Sequence, residues 1–322
     1  MASEESEILN LKSEIAFLFP GQGSQYAGMG KELAEKYPAA KQVFEEADEA
    51  LSFSISRLCF EGPEDALQLT ENTQPAILST SVATFKAMQS EGLPTPTFVA
   101  GHSLGEYSAL VAAGAISLAD AVRTVRARGR YMQEAVPVGT GAMAAVLGGE
   151  REAIEQACRE ASGGQVCSTA NINSPNQIVI AGNSEAVDRA MELLKGVAKR
   201  VIKLNVSAPF HCALMKPAQD RLAFELEQLA FSEPRTPVVT NVDASITTDR
   251  GELRDALLRQ VSSSVRWSDS MSLLLKQGIT TFVEVGPGKV LSGLMRQISR
   301  DANCLNVEDS ASLEAAREKL TA

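Results

Sequence analysis

Short apolar runs alternate with amphipathic stretches along most of the chain, and this alternation is the first structural signal. Ile15 to Phe19 (IAFLF) is a compact apolar run closed by Pro20 and the polar turn Gly21-Gln22-Gly23-Ser24-Gln25. It reads as a buried strand feeding a loop, with Gln22 just past the strand end. A helix is expected from about Gly30 to Ala50, and a polar turn, Glu61-Gly62-Pro63, leads on to Asn72-Thr73-Gln74-Pro75 and a helix through Met88. The apolar run Phe98-Val99-Ala100 then meets Gly101-His102-Ser103-Leu104-Gly105, followed by helix formers with Leu110 and Val111 on the apolar side. That pattern predicts strand, sharp turn and helix, with Ser103 at the turn.

Asp120 to Gln133 is a further helix, and after Pro137 the rhythm changes. Strands are expected at Gly141–Leu147, Val166–Asn173, Gln177–Ala181 and Arg200–Val206, with helices at Glu150–Ala161 and Glu185–Leu194. The order βαββαβ is that of a ferredoxin-like subdomain inserted at residues 138–206. Strand and helix alternation then resumes, with a strand at Pro237–Val242, a helix from Gly251 into Val261, and a strand at Thr280–Val285 ending in Gly286-Pro287-Gly288. Residues 1–137 and 207–322 therefore form one large α/β domain with a mainly parallel sheet covered by helices on both faces. Ligands bind beyond the C-terminal strand ends of such sheets. Gln22, Ser103, His211 and the Gly286-Pro287-Gly288 loop all follow strands in that position, so they are expected to converge.

The chemistry starts from Ser103. A serine thrown clear of the sheet at a helix N-terminus has unpaired backbone N–H groups beside it, which suits a nucleophile whose oxyanion needs donors. Its hydroxyl still needs a base, and the chain has two histidines. His102 adjoins Ser103 in the turn, where consecutive side chains diverge, so it supports the turn. His211, beyond Pro209 in a strand-end loop, is the candidate base. Asp243, Glu284 or a backbone carbonyl could orient its ring, the last making a Ser–His dyad.

In the helix Asp120–Gln133, at about 100° per residue, Arg123, Arg126 and Arg130 form a basic stripe. Arg128 falls on the opposite, apolar side with Leu118, Ala121, Val125 and Met132. A buried guanidinium needs a carboxylate partner, either a structural Asp or Glu or one carried by the substrate.

Composition narrows the class. The 322 residues are 44% hydrophobic and 22% charged, with a net charge of −10. This fits a globular protein able to bury a sizeable core, with neither nucleic acid nor a membrane as partner. The acidic N-terminus, MASEESEILNLKSE, lacks the basic start and apolar centre of a secretory signal, which points to the cytoplasm. Five scattered cysteines (Cys59, Cys158, Cys167, Cys212, Cys304), with no Cys-x-x-Cys pair, argue against a disulfide framework and a zinc site.

Six segments, FPGQGSQ (19–25), GHSLGEYSAL (101–110), RGRYMQEAVP (128–137), GTGAMAAV (139–146), APFHCALM (208–215) and EVGPGKVL (284–291), occur in this order. They resemble the malonyl-CoA:acyl carrier protein transacylases of bacterial fatty-acid synthesis and, more distantly, polyketide synthase acyltransferase domains. The resemblance runs from about Ile15 to Ile298.

It implies a hydrolase-like α/β fold with a ferredoxin-like insertion. It also implies an acylated Ser103, His211 as its base, and an oxyanion hole from Gln22 and the Leu104 N–H. Arg128 would bind the malonyl carboxylate, with Met132 and Phe210 also at the substrate and Asn173 near the coenzyme A arm. The Gln260 carbonyl would hold the His211 ring. The family often has Asn-Pro ahead of its Val-x-Trp motif, where this chain has Ser262-Ser263-Ser264 before Val265-Arg266-Trp267, which leaves open which carbonyl meets His211. An aromatic at Phe210 resembles the malonyl-type pattern.

The implied substrates are malonyl-CoA and acyl carrier protein, with no cofactor, and the chain is expected to be a monomer. A serine esterase or thioesterase, with water as acceptor, and an idle acyl-carrier binding module are the rival readings.

Overall fold

The computed structural model describes residues 14–206 and 208–321, so the acidic N-terminal stretch lies outside the described residues apart from Glu14. Its strands are β1 (Ile15–Phe19), β2 (Phe98–Gly101), β3 (Gly141–Leu147), β4 (Cys167–Ser174), β5 (Gln177–Asn183), β6 (Arg200–Lys203), β7 (Val238–Val239), β8 (Ile246–Thr247), β9 (Thr281–Val285) and β10 (Asn303–Val307).

They form a six-stranded sheet in the order β10-β9-β1-β2-β7-β8 and a four-stranded sheet in the order β4-β5-β3-β6. The large sheet is parallel except for β8, which pairs antiparallel with β7. The chain thus has the mixed α/β fold that the apolar pattern predicts. All pairings in the small sheet are antiparallel, with β3 and β5 central, as in a ferredoxin-like unit.

The central strands lack a polar face because helices cover both sides of the sheet. Phe17 and Phe19 of β1, Val99 of β2, and Val283 and Val285 of β9 enter one apolar core. Their alternates Ala16, Leu18, Ala100 and Phe282 enter a second core with Trp267, Met271 and Leu274. The register pairs Phe19 with Gly101, so β1 and β2 end level and their following loops lie side by side.

Several boundaries differ from the sequence reading. The expected helix Gly30–Ala50 is two, Lys31–Lys36 and Pro38–Leu51, because Pro38 holds the preceding Tyr37 in extended backbone. The helix expected after Pro75 begins at Thr70 and carries Gln74 and Pro75 inside it. That brings the amide of Gln74 into the protein interior. The strand expected over Arg200–Val206 stops at Lys203, and the one over Pro237–Val242 is only Val238–Val239. The residues freed at each end go to the site. Helices at Lys216–Gln228, Trp267–Lys276, Val290–Ile298 and Ser310–Thr321, together with β10, complete the layers without having been marked by the apolar pattern.

The small sheet is tied to the large domain by main-chain bonds on the site's side. Ile172 N–H donates to the Val265 carbonyl and Val265 N–H to the Ala170 carbonyl, each at 2.9 Å. Val265 thus forms an isolated parallel bridge with β4, which ties the insertion to the large domain. Among the described residues no helix is long and apolar enough to cross a membrane. The basic stripe has local partners: Arg123 meets Asp120 at 2.8 Å, Arg126 stacks on Phe53, and Arg130 lies over its neighbour Tyr131.

Candidate active site

Ser103 sits between β2 and the helix Gly105–Ala113 with a φ of 53°, left-handed backbone that a non-glycine residue adopts only under constraint. The constraint is packing. A Cβ at Gly101 would lie 1.9 Å from the Gly105 carbonyl group, and a Cβ at Gly105 would lie 2.1 Å from the Phe19 carbonyl oxygen. The two glycines let the turn close onto itself and onto β1. Asn241, at the end of β7, clasps it from the other side by accepting from Ser103 N–H at 2.7 Å and donating to the Gly101 carbonyl at 2.7 Å. The Leu104 N–H has no hydrogen-bond partner among the described residues, and Leu104 helps to line the cavity beside Ser103.

His211 comes from the connection after β6 and also has left-handed backbone, with φ 60°. Its Nε2 is 2.7 Å from Ser103 Oγ and its Nδ1 is 2.9 Å from the Gln260 carbonyl oxygen. A carbonyl only accepts, so Nδ1 carries the proton and Nε2 is left to accept from the serine hydroxyl. Burial, reinforced by the Arg128 charge, pushes the His211 pKa down to about 3, so the ring is a neutral base. Neither carboxylate considered from the sequence meets it. Asp243 is paired with Arg259 at 2.7 Å, and Glu284 accepts from Leu291 and Ser292 N–H at 2.9 and 2.8 Å.

Arg128 is 2% exposed. Among the described residues no carboxylate is hydrogen-bonded to it, so of the two partners open from the sequence the structural Asp or Glu is not found. Nη1 donates to Gln74 Oε1 at 2.8 Å, while Nη2 donates to Gln260 Oε1 at 2.9 Å and to Ser103 Oγ at 3.1 Å. Among the described residues its Nε is buried without a partner. Two neutral amide oxygens thus hold the guanidinium beside the serine, and the buried Glu106 carboxyl acts on it only through space, with no hydrogen bond to it.

These groups line a cavity of about 350 Å³ with Gln22, Leu104, Met132, Phe210 and Asn171. Gln22 turns its side-chain amide toward Thr70 Oγ1 at 3.3 Å. Met132 packs its sulfur 3.9 Å from Gln74 Nε2. Asn173 is not in this cavity. It lines an adjoining one of about 230 Å³ with Gln22, His102 and Gln177, where its Oδ1 is 2.8 Å from His102 Nε2. His102 is thereby engaged away from the serine hydroxyl, its ring 5.5 Å from Trp267.

The Gly286-Pro287-Gly288 loop does not join the cavity wall. Gly286, with φ 128°, packs so closely that a Cβ would lie 2.3 Å from Ser81 Oγ and 3.1 Å from Pro20, so the loop buttresses the turn after β1 from behind.

Such a site can attack a carbonyl carbon with a serine oxygen, hold the resulting oxyanion at the Leu104 N–H, and pair an anionic group of the substrate with Arg128. A family model described as acyl transferase domain matches residues 16–317. The chain belongs to the acyl transferase family. It is 50% identical over 310 residues to the malonyl CoA-acyl carrier protein transacylase of Bacillus subtilis, covering 96% of this chain and 98% of the relative. The crystal structure of an acyl carrier protein S-malonyltransferase from Vibrio cholerae superposes with a TM-score of 0.93 at 50% identity, covering 94% of this chain and 99% of that one. A malonyl-transacylase solved in complex with a type II PKS acyl-carrier protein gives a TM-score of 0.93 at 48% identity, covering 95% and 100%.

Within this acyl transferase, four residues around the site escaped the sequence reading. Gln74, inside the helix Thr70–Ser90, and Asn241, two residues beyond β7, are polar residues with no motif of their own, and Asn171 lies unmarked within β4. Glu106 stood in plain view inside the glycine-serine segment, where helix periodicity would have set it on an inner face.

Proposed function

We propose that this acyltransferase moves a malonyl group from malonyl-CoA to the phosphopantetheine thiol of an acyl carrier protein through an ester on Ser103. The observation that carries this reading is the buried guanidinium of Arg128, 3.1 Å from the Ser103 oxygen and, among the described residues, without a hydrogen-bonded carboxylate. A short acyl chain ending in a carboxylate would pair with it.

In the first half-reaction the Ser103 proton passes to His211 Nε2 as Oγ bonds to the thioester carbon. The tetrahedral oxyanion is held by the Leu104 N–H and by Gln22. Collapse breaks the carbon–sulfur bond, and coenzyme A leaves with the proton from Nε2. In the second, the carrier thiol gives its proton to Nε2 and attacks the ester, and Ser103 Oγ leaves with that proton. Met132 and Phe210 bound the acyl pocket, the Gln260 carbonyl keeps the His211 tautomer, and Asn173 lies along the path of the coenzyme A arm.

Acid–base and nucleophilic groups suffice for both steps, which ask for no metal or redox cofactor. In this reading residues 1–137 and 207–322 form the catalytic domain, residues 138–206 the inserted ferredoxin-like subdomain, and the reaction takes place in the cytoplasm.

The test is intact-protein mass spectrometry after incubation with malonyl-CoA. A malonyl adduct should form, disappear when holo carrier protein is added, and be absent in Ser103→Ala. An adduct that water alone discharges as fast would favour an esterase, and an adduct surviving in Ser103→Ala would refute the nucleophile.

A further inference from the structure

Gln260 does three jobs at once. Its main-chain carbonyl meets His211 Nδ1 at 2.9 Å, its side-chain Oε1 accepts from Arg128 Nη2 at 2.9 Å, and its Nε2 donates to the Ser103 carbonyl at 2.9 Å. The base, the buried cation and the nucleophile's main chain are all referenced to one residue. A carboxamide can turn about its last bond, so something must fix which end faces Arg128.

The Ser103 carbonyl fixes one hydrogen of Nε2. The other goes to Glu106 Oε2 at 2.8 Å, with Asn241 Oδ1 a more distant acceptor at 3.4 Å, and Glu106 Oε2 also accepts from Asn241 N–H at 3.1 Å. Asn241 is in turn the residue that clasps the Ser103 turn. Glu106 is fully buried on the helix Gly105–Ala113, three residues from the nucleophile, and its Oε1 has no partner among the described residues. A carboxylate in such a place is costly unless it serves a purpose.

We propose that Glu106 is a positioning residue for acyl selection. By accepting from Gln260 Nε2 and Asn241 N–H it locks the Gln260 amide with its oxygen toward Arg128, and so aims the guanidinium at the substrate carboxylate. The role belongs to the acceptor oxygen, not to the charge. It rests on the malonyl reading above and adds to it the residue that sets Arg128's geometry from behind.

Two neutral substitutions of similar length separate this role from a merely structural one. In Glu106→Gln the amide oxygen can still accept both hydrogen bonds, whereas in Glu106→Met the side chain fills the same space and accepts nothing. The measurement is the single-turnover rate of serine acylation by malonyl-CoA and, separately, acetyl-CoA, which has no carboxylate for Arg128 to meet.

Glu106→Gln should keep the malonyl-to-acetyl ratio at or above that of the unsubstituted protein, since a negative charge near the incoming carboxylate is gone. Glu106→Met should lower the malonyl rate about tenfold and the acetyl rate by less than about threefold. An equal fall for both acyl groups, an unchanged ratio in Glu106→Met, or a loss in Glu106→Gln as large as in Glu106→Met overturns the proposal. Should Glu106→Met not fold, Glu106→Ala lacks the same acceptor without its bulk and carries the same expectation. Failure of the unsubstituted protein to take up malonyl would instead refute the functional reading.

Discussion

Replacing Arg128 with alanine tests the link between burial and specificity. The guanidinium is 2% exposed and hydrogen-bonded to the oxygens of Gln74 and Gln260, which orient it, and among the described residues no carboxylate is hydrogen-bonded to it. A malonyl carboxylate entering the cavity is stripped of water and recovers that cost only through this pairing. Removing one partner of a buried ion pair costs about 3–5 kcal/mol, and at 1.36 kcal/mol per tenfold in rate this is roughly a hundredfold to a few thousandfold in malonyl loading. Acetyl-CoA brings no carboxylate, so its rate should stay level or rise as the cavity loses an unpaired cation. Removing the cation also relieves His211, whose basicity Arg128 depresses alongside burial.

Lysine restores the charge without the two-pronged geometry and should recover only part of the preference. The assay is serine acylation by malonyl-CoA and acetyl-CoA, followed by mass spectrometry, with circular dichroism as the folding control. A malonyl-to-acetyl ratio that survives Arg128→Ala within about threefold would refute the reasoning, and malonyl selection would then have to come from the shape of the pocket.

Three further outcomes are expected. His211→Ala should lower acylation by two or more orders of magnitude and His102→Ala by much less, because His102 Nε2 is engaged with Asn173; with the His211 pKa near 3, the pH profile of acylation should also lack the fall near pH 6.5 that an ordinary histidine base gives, and such a fall would contradict the assignment. Burial raises the Glu106 pKa from 4.5 to about 7, so the native state binds more protons than the unfolded chain between those values and its ionisation costs stability that is absent below pH 4.5 and complete above pH 7. Glu106→Gln should therefore gain on the order of 3 kcal/mol over the unsubstituted protein at pH 8 and little at pH 4.5, read as the difference in denaturant midpoints at the two pH values, with equal gains at both ruling the cause out. Gly105→Ala would press a methyl group to 2.1 Å from the Phe19 carbonyl oxygen and should cost about 3 kcal/mol or more, seen as a fall in melting temperature; a variant that melts like the parent would mean the turn has room to move.

Much of this protein is written locally. The buried run Ile15–Phe19 can only be a covered strand, and the flanking glycines and serine of Gly101–Gly105 dictate a tight turn, because these follow from side-chain periodicity and backbone sterics over a few residues. The inward aim of Arg128 also follows from helix spacing, and the helix Leu118–Glu134 buries it with Val125 and Met132.

What surrounds Arg128 was not legible in this way. Gln74 is 54 residues before it and Gln260 132 residues after, and neither amide differs by type or neighbours from many exposed ones. The choice of a carbonyl over Asp243 or Glu284 to hold His211 was also closed to local reasoning, since it depends on Arg259 and the N-terminus of the helix Val290–Ile298 having claimed those carboxylates. The Gly286-Pro287-Gly288 loop follows a strand end as expected, yet packs behind Pro20, because the position of β9 on the far side of β1 from β2 was fixed by strand order. Periodicity and sterics act between neighbours in the chain, whereas a buried charge is satisfied by whatever the packed fold brings within about 3 Å of it.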